Sequence, residues 1–217
     1  MSSIAAADIA GTPRRMSFLP VLLLVLVVGG WLRFTSLDWD GLKHTHPDES
    51  YINWVQTTIE WTGGPAIWLD PERSSLNPFF WPATKNTFGI QIPVGEPRRF
   101  AYGHFPLYLT VLVAKGMALL GTAVPGIGAL LKMDGRIEYD YMTLVGRAIA
   151  AAADTTTMFF VYCLGRRMGG VVAGLIAAAV SALAVQHIQQ AHFGTFDAVV
   201  TACVAAGLLS LARYVAK

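Results

Sequence analysis

Tyr162-Cys-Leu-Gly165-Arg166-Arg167-Met-Gly-Gly170 joins two apolar runs, Leu144–Leu164 and Met168–Val185. The side of a membrane on which this basic turn lies decides the fold. At 1.5 Å per residue, either run can cross a hydrocarbon core of about 30 Å. Upstream, Ser17–Phe34 follows Arg14-Arg15; downstream, Ala198–Ala212 precedes Arg213, Tyr214 and Lys217. A further run, His104–Val124, carries Lys115 at its centre and ends in Gly-rich turns.

Basic residues accumulate on the cytoplasmic side of membrane proteins. If 104–124 does not cross, Arg14-Arg15, Arg166-Arg167 and Arg213/Lys217 all lie inside. The acidic loop Asp134-Gly-Arg-Ile-Glu138-Tyr-Asp140 then lies outside. If 104–124 crosses, the Arg166-Arg167 turn falls outside, against the rule. The expected fold is therefore an all-α membrane protein with about four transmembrane helices. The expected layout is a cytoplasmic tail 1–16, spans 17–35, 144–165, 168–188 and 198–215, a long outer loop 36–143 and an outer turn 189–197. Ser17–Phe34 reads as an uncleaved span, because Trp31-Leu-Arg-Phe follows it rather than a small-x-small cleavage site. This describes a multi-pass protein of the plasma (inner) membrane with its N-terminus in the cytoplasm.

Composition agrees with that class. The chain is 54% hydrophobic and 14% charged, against about 25% charged in soluble domains. A net charge of +2 is too small to point to nucleic acid. Cys163 and Cys203 sit inside apolar runs and read as small hydrophobes.

The outer loop holds five of the six tryptophans, a residue that favours membrane interfaces. Within it lies His44-Thr45-His46-Pro47-Asp48-Glu49-Ser50-Tyr51. Pro47 suits a first helical position, and Thr45 with Asp48 fits a capping box. An amphipathic helix is expected over 47–61 on the outer surface, with an interfacial or re-entrant helix over 104–124.

The topology collects polar residues from four segments on one face: Asp48, Glu49, His104, Arg147, His192 and Asp197. Each has a plainer reading. Asp48 and Glu49 suit the positive end of a helix dipole, Arg147 a snorkelling anchor, Asp197 a helix N-cap. His104 and His192 read as loop or interfacial polar residues. Asp154 falls mid-span, where a carboxylate is costly, and a structural ion pair or hydrogen bond is expected for it. There is no P-loop, Rossmann fingerprint or nucleophile elbow, and no zinc-ligand spacing apart from His44-x-His46, a weak signal.

Taken in order, these motifs resemble the N-terminal part of integral-membrane GT-C glycosyltransferases. These are the protein O-mannosyltransferases and lipid A aminoarabinose transferases, of the glycosyltransferase family 39 type. The resemblance rests on one basic-flanked span, His46–Tyr51, Tyr102-Gly103-His104-Phe105-Pro106-Leu107-Tyr108, Gly146-Arg147, Tyr162–Gly170, and an Ala-rich span leading to His192-Phe-Gly-Thr-Phe-Asp197. It implies sugar transfer from a polyprenyl-phosphate donor to an acceptor hydroxyl on the outer face. Asp48 corresponds to the general base and Glu49 to its usual neighbour; His104, Arg147 and Asp197 fall to substrate binding. No cofactor is implied, and a divalent metal is left open. Members of that family are much longer, and their later spans form most of the lipid-phosphate site. The chain is thus expected to be a truncated or incomplete transferase. The alternative is a non-catalytic accessory subunit of a larger membrane complex, whether respiratory, photosynthetic or biosynthetic.

Overall fold

The computed structural model describes residues 18–80, 97–124, 126 and 138–215. Seven helices occur among them: α1 (Leu19–Phe34), α2 (Pro47–Thr57), α3 (Pro65–Trp68), α4 (His104–Ala123), α5 (Glu138–Leu183), α6 (Val185–Ala191) and α7 (Asp197–Val215). Arg14-Arg15, Trp81, residues 134–137 and Lys217 lie outside the described residues.

The basic turn is where the architecture is made. Helical backbone breaks at Gly169 (φ −137°, ψ 16°) and Gly170 (φ 81°, ψ −176°), so α5 consists of two limbs. The positive φ of Gly170 is a conformation that side chains with a Cβ rarely adopt. After it the chain doubles back. A Cβ on Gly165 would stand 3.0 Å from the Gly174 Cα, and one on Gly174 would stand 2.7 Å from the Tyr162 carbonyl oxygen. Farther from the turn, Asp154 meets His187. Both pairs are nearly symmetric about Gly170, so the limbs are antiparallel. Small residues allow this approach where lipid offers no hydrophobic drive between helices.

Two further helices complete the bundle. Leu22 of α1 packs with Tyr162 and Ala178, while Arg33 reaches Asp154 and the carbonyls of Ser181 and Ala182. Hence α1 runs antiparallel to the first limb. Gly194, just ahead of α7, lies against the backbone of Arg147, so α7 starts at the level of that residue. Arg166, Arg167 and Arg213 therefore share one end of the bundle. Asp40, Asp48, Glu49 and Asp197 share the other. Leu24, Val27, Trp31, Ile176, Val180, Val204 and Leu208 are exposed between the two ends. An apolar surface of that extent fits lipid rather than water. By length and hydropathy α4, α5 and α7 can each cross a membrane, whereas α1 has 16 residues.

The first limb begins earlier than a span starting at 144. In its added turns Tyr139 donates to the Ser50 carbonyl, Thr143 accepts from Asn53 and Met142 joins the core with α2 and α4. α4 opens against the first turns of α7, near Val199, Val200 and Cys203. It then runs back along the start of α5: Thr110 faces Gly146, and Lys115 Nζ lies 3.6 Å from Glu138. Its direction is away from the arginine end. Leu107, Val111 and Ala114 join Ile52, Val55, Ile59, Met142, Val145 and Phe196 in one apolar core.

α2 departs from expectation. It ends at Thr57 rather than 61, and His46 is its N-cap, accepting from the Glu49 N–H at 3.3 Å; Thr45 and Asp48 form no capping box. Nor does it rest on a surface with its polar side in water. Glu49, Asn53, Gln56 and Thr57 are as buried as Ile52 and Val55. The polar face is instead taken up by α5, with Asn53 donating to Thr143 Oγ1 at 2.8 Å.

Replacing Gly174 by Val places a side chain where Tyr162 backbone already lies. The expected loss is about 1–3 kcal/mol, read as a lower midpoint of thermal unfolding in detergent.

Candidate functional site

Asp48 and Glu49 are adjacent on a helix, so their side chains point about 100° apart. Only one can face the bundle. Glu49 does: it is fully buried, while Asp48 is exposed.

Glu49 enters a closed ion-pair network around Arg147, which has no exposed surface. Arg147 Nε donates to Glu49 Oε1 at 2.8 Å and Nη2 to Oε2 at 2.7 Å. Nη1 and Nη2 donate to Asp40 Oδ1 and Oδ2 at 2.9 and 3.1 Å. Nη1 also reaches the Leu37 carbonyl at 2.8 Å. A guanidinium has five N–H donors, and all five are matched. The Gly194 N–H adds a 2.6 Å bond to Glu49 Oε1, and the Trp39 ring centroid lies 5.5 Å from the guanidinium carbon. Gly194 is needed for this contact, since a Cβ there would come within 2.9 Å of Glu49 Oε1.

The Arg147 guanidinium holds the Asp40 carboxyl at about 2, below its usual range, with the Thr45 and Leu42 N–H groups helping. To bring Asp40 in, the chain between α1 and α2 places Ser36, Leu42 and His44 at positive φ (57°, 58° and 52°). Such backbone is tolerated where the surroundings over-determine it. Here His44 is clasped by Asp140 at 3.0 Å, by Thr143 at 3.3 Å and by the Tyr139 ring.

The exposed group sits in different company. The Tyr102 hydroxyl interacts with the Asp48 carboxylate, and Asp197 is close enough to act on the same hydroxyl. Burial, the hydrogen bond to Asp48 and the charges of Asp48 and Asp197 together push Tyr102 up to about 12. It therefore keeps its proton at neutral pH. Tyr102 stands among rings: Phe100 at 5.6 Å, Phe196 at 6.2 Å and Tyr51 at 6.5 Å between centroids. His104, at the first position of α4, stacks on Tyr108 and meets Phe79 edge-on. Arg98 is buried, donating to the Pro78 carbonyl and to Thr58 Oγ1 at 2.8 Å; burial lowers it to about 10.

The residues singled out from sequence thus divide into two groups. Asp48 and Asp197 converge on Tyr102, with His104 beyond the same aromatic cluster. Glu49 and Arg147 form an enclosed pair in which no guanidinium N–H remains for a phosphate. His192 is structural: its Nε2 faces the Thr35 carbonyl at 2.8 Å and its Nδ1 the Ile188 carbonyl at 2.7 Å. Asp154 has its ion-pair partner in Arg33, at 2.5 Å. Asp40 and Tyr102 were missed as site residues. Tyr102 lies inside a motif already noted, and Asp38-Trp39-Asp40 straight after an apolar run was a readable signal. Among the described residues, no three His, Cys, Asp or Glu side chains group as metal ligands.

Removing one partner of a buried ion pair typically costs about 3–5 kcal/mol. Glu49→Ala and Arg147→Met are expected to lose that much in detergent unfolding, with less folded protein recovered from membranes. Asp40 has a depressed value, so its contribution is complete above its unfolded value of about 3.9 and is lost as pH falls toward 2. The gap in melting temperature between wild type and Asp40→Asn should stay constant from about pH 7 to 5 and close below about pH 4. No family model, curated protein or solved structure matches the chain.

Proposed function

We propose that this chain is a membrane glycosyltransferase-like protein with Asp48 as its general base. The observation that carries the reading is the separation of two adjacent carboxylates. Glu49 is consumed by the fold, whereas Asp48 is exposed at the acidic end of an apolar bundle, beside Tyr102 and Asp197. In the proposed reaction Asp48 takes the proton of an acceptor hydroxyl. That oxygen bonds to the anomeric carbon as the bond from that carbon to phosphate oxygen breaks, and polyprenyl phosphate leaves. A donor with a hydrocarbon anchor and a polar head suits a site at the rim of an apolar belt. Tyr102 orients the base, while Asp197 and His104 line the acceptor side. The order of motifs supports this reading, as their resemblance to GT-C enzymes implies.

A second reading has support of its own. Arg147 has no donor left for a phosphate, and Arg98 is buried among carbonyls. In this reading the cations for a donor phosphate are supplied by a partner, and the chain is a subunit of a larger membrane complex.

Asp48→Asn leaves the ion-pair network intact. Under the first reading it lowers transfer from a polyprenyl-phosphate sugar by about 10²–10⁴-fold, with an unchanged melting temperature. Undiminished transfer removes Asp48 from the chemistry. Activity that appears only with a stoichiometric co-purifying partner favours the second reading.

A further inference from the structure

A second polar system lies deeper in the bundle. Asp154 is almost wholly buried, and its two oxygens serve two partners. Oδ2 takes Arg33 Nε, and Oδ1 lies 2.8 Å from His187 Nδ1. Arg33 directs its remaining donors to the carbonyls of Gly29, Ala182 and Ser181, at 2.9–3.0 Å. A carboxylate paired with arginine has no proton to give, so the imidazole donates from Nδ1. In the neutral ring Nε2 then carries the lone pair.

Among the described residues Nε2 has no partner, and 38% of the His187 side chain is exposed. The ring lines a cleft of about 590 Å³ between the two limbs of α5 and α7. Apart from His187 the wall is mainly apolar, including Val161, Leu164, Val180 and Leu208. The Thr157 and Thr201 hydroxyls on it donate to carbonyls of their own helices, of Ala153 and Asp197. The Ser181 hydroxyl also lies on the wall. A buried ion pair thus aligns an imidazole at a largely apolar cleft.

We propose that this cleft binds a hydroxyl-bearing membrane lipid, its chain along the α5–α7 groove and its O–H donated to His187 Nε2. The occupant follows from the surroundings. Val180, Val204 and Leu208 line the cleft and expose apolar surface, so what reaches it comes from hydrocarbon. A hydrocarbon chain alone leaves Nε2 unmatched, and a phosphate diester offers no proton. The site is separate from Asp48, and its test does not depend on transfer activity.

The probes are 1-hexadecanol and its methyl ether, which share a chain and differ in the O–H donor. Each is titrated into the full chain in detergent micelles, with binding followed by thermal stabilisation. The alcohol should bind about five- to tenfold more tightly than the ether, the range of one net hydrogen bond, and His187→Phe should abolish that preference. In the wild type, ¹⁵N-histidine spectra should show the His187 Nε2 resonance moving with alcohol and staying in place with ether. This second measurement holds even if His187→Phe folds poorly. Equal binding of the two probes, no binding of either, or an unmoved Nε2 resonance would overturn the proposal.

Discussion

Arg147 has no exposed surface, and a buried guanidinium is tolerable only when every N–H finds an acceptor and its charge is balanced. The network draws on four places in the chain. Arg147 belongs to α5, Glu49 to α2, Leu37 and Asp40 to the segment after α1, and the Gly194 amide binds Glu49 from the loop before α7. Satisfying one side chain therefore positions four segments. Gly194 is what lets the last of these come close enough. The positive-φ residues between α1 and α2 belong to the same constraint, since the chain must turn sharply to deliver Asp40.

About two turns deeper, Arg33 and Asp154 repeat the device inside the apolar belt. This pair joins α1 to both limbs of α5, because Arg33 also takes the carbonyls of Ser181 and Ala182. Such pairs specify register better than dispersion alone, which changes little when one apolar helix slides past another. Just beyond the second pair Gly29 admits the end of Met158, and farther on Gly165 meets Gly174. Small residues set how near the helices come; ion pairs set where along their length they stop.

The candidate site is a consequence of this arrangement. Anchoring Glu49 to Arg147 rotates its neighbour Asp48 outward by the helical step, toward Tyr102 and the start of α7. An acidic residue that would otherwise compete for Arg147 is left in solvent with a phenol beside it. One carboxylate works for the fold, and the other remains at the surface with a neighbouring proton donor. The same division recurs at His187, whose Nδ1 belongs to the ion-pair system while its Nε2 faces the bundle's outer cleft.

Periodicity and charge were enough to read the helical class and the presence of helices long and apolar enough to cross a membrane. These are local or one-dimensional properties: hydropathy sets where apolar helices run. Proximity of Asp48 and Asp197 was also legible, because topology sends both to one end. Sequence could not decide which of two adjacent carboxylates faces inward. That depends on the rotation of α2 about its axis, set by an arginine nearly a hundred residues away. Nor could it pair Arg33 with Asp154, since either could have snorkelled or bonded locally. The burial of the polar face of α2 was hidden for the same reason: Asn53 meets Thr143 of α5 only in the packed chain. Local chemistry determined the elements of this protein. Tertiary structure decided which charges are matched inside and which remain outside to act, because matching buried charges requires partners that only the packed chain brings together.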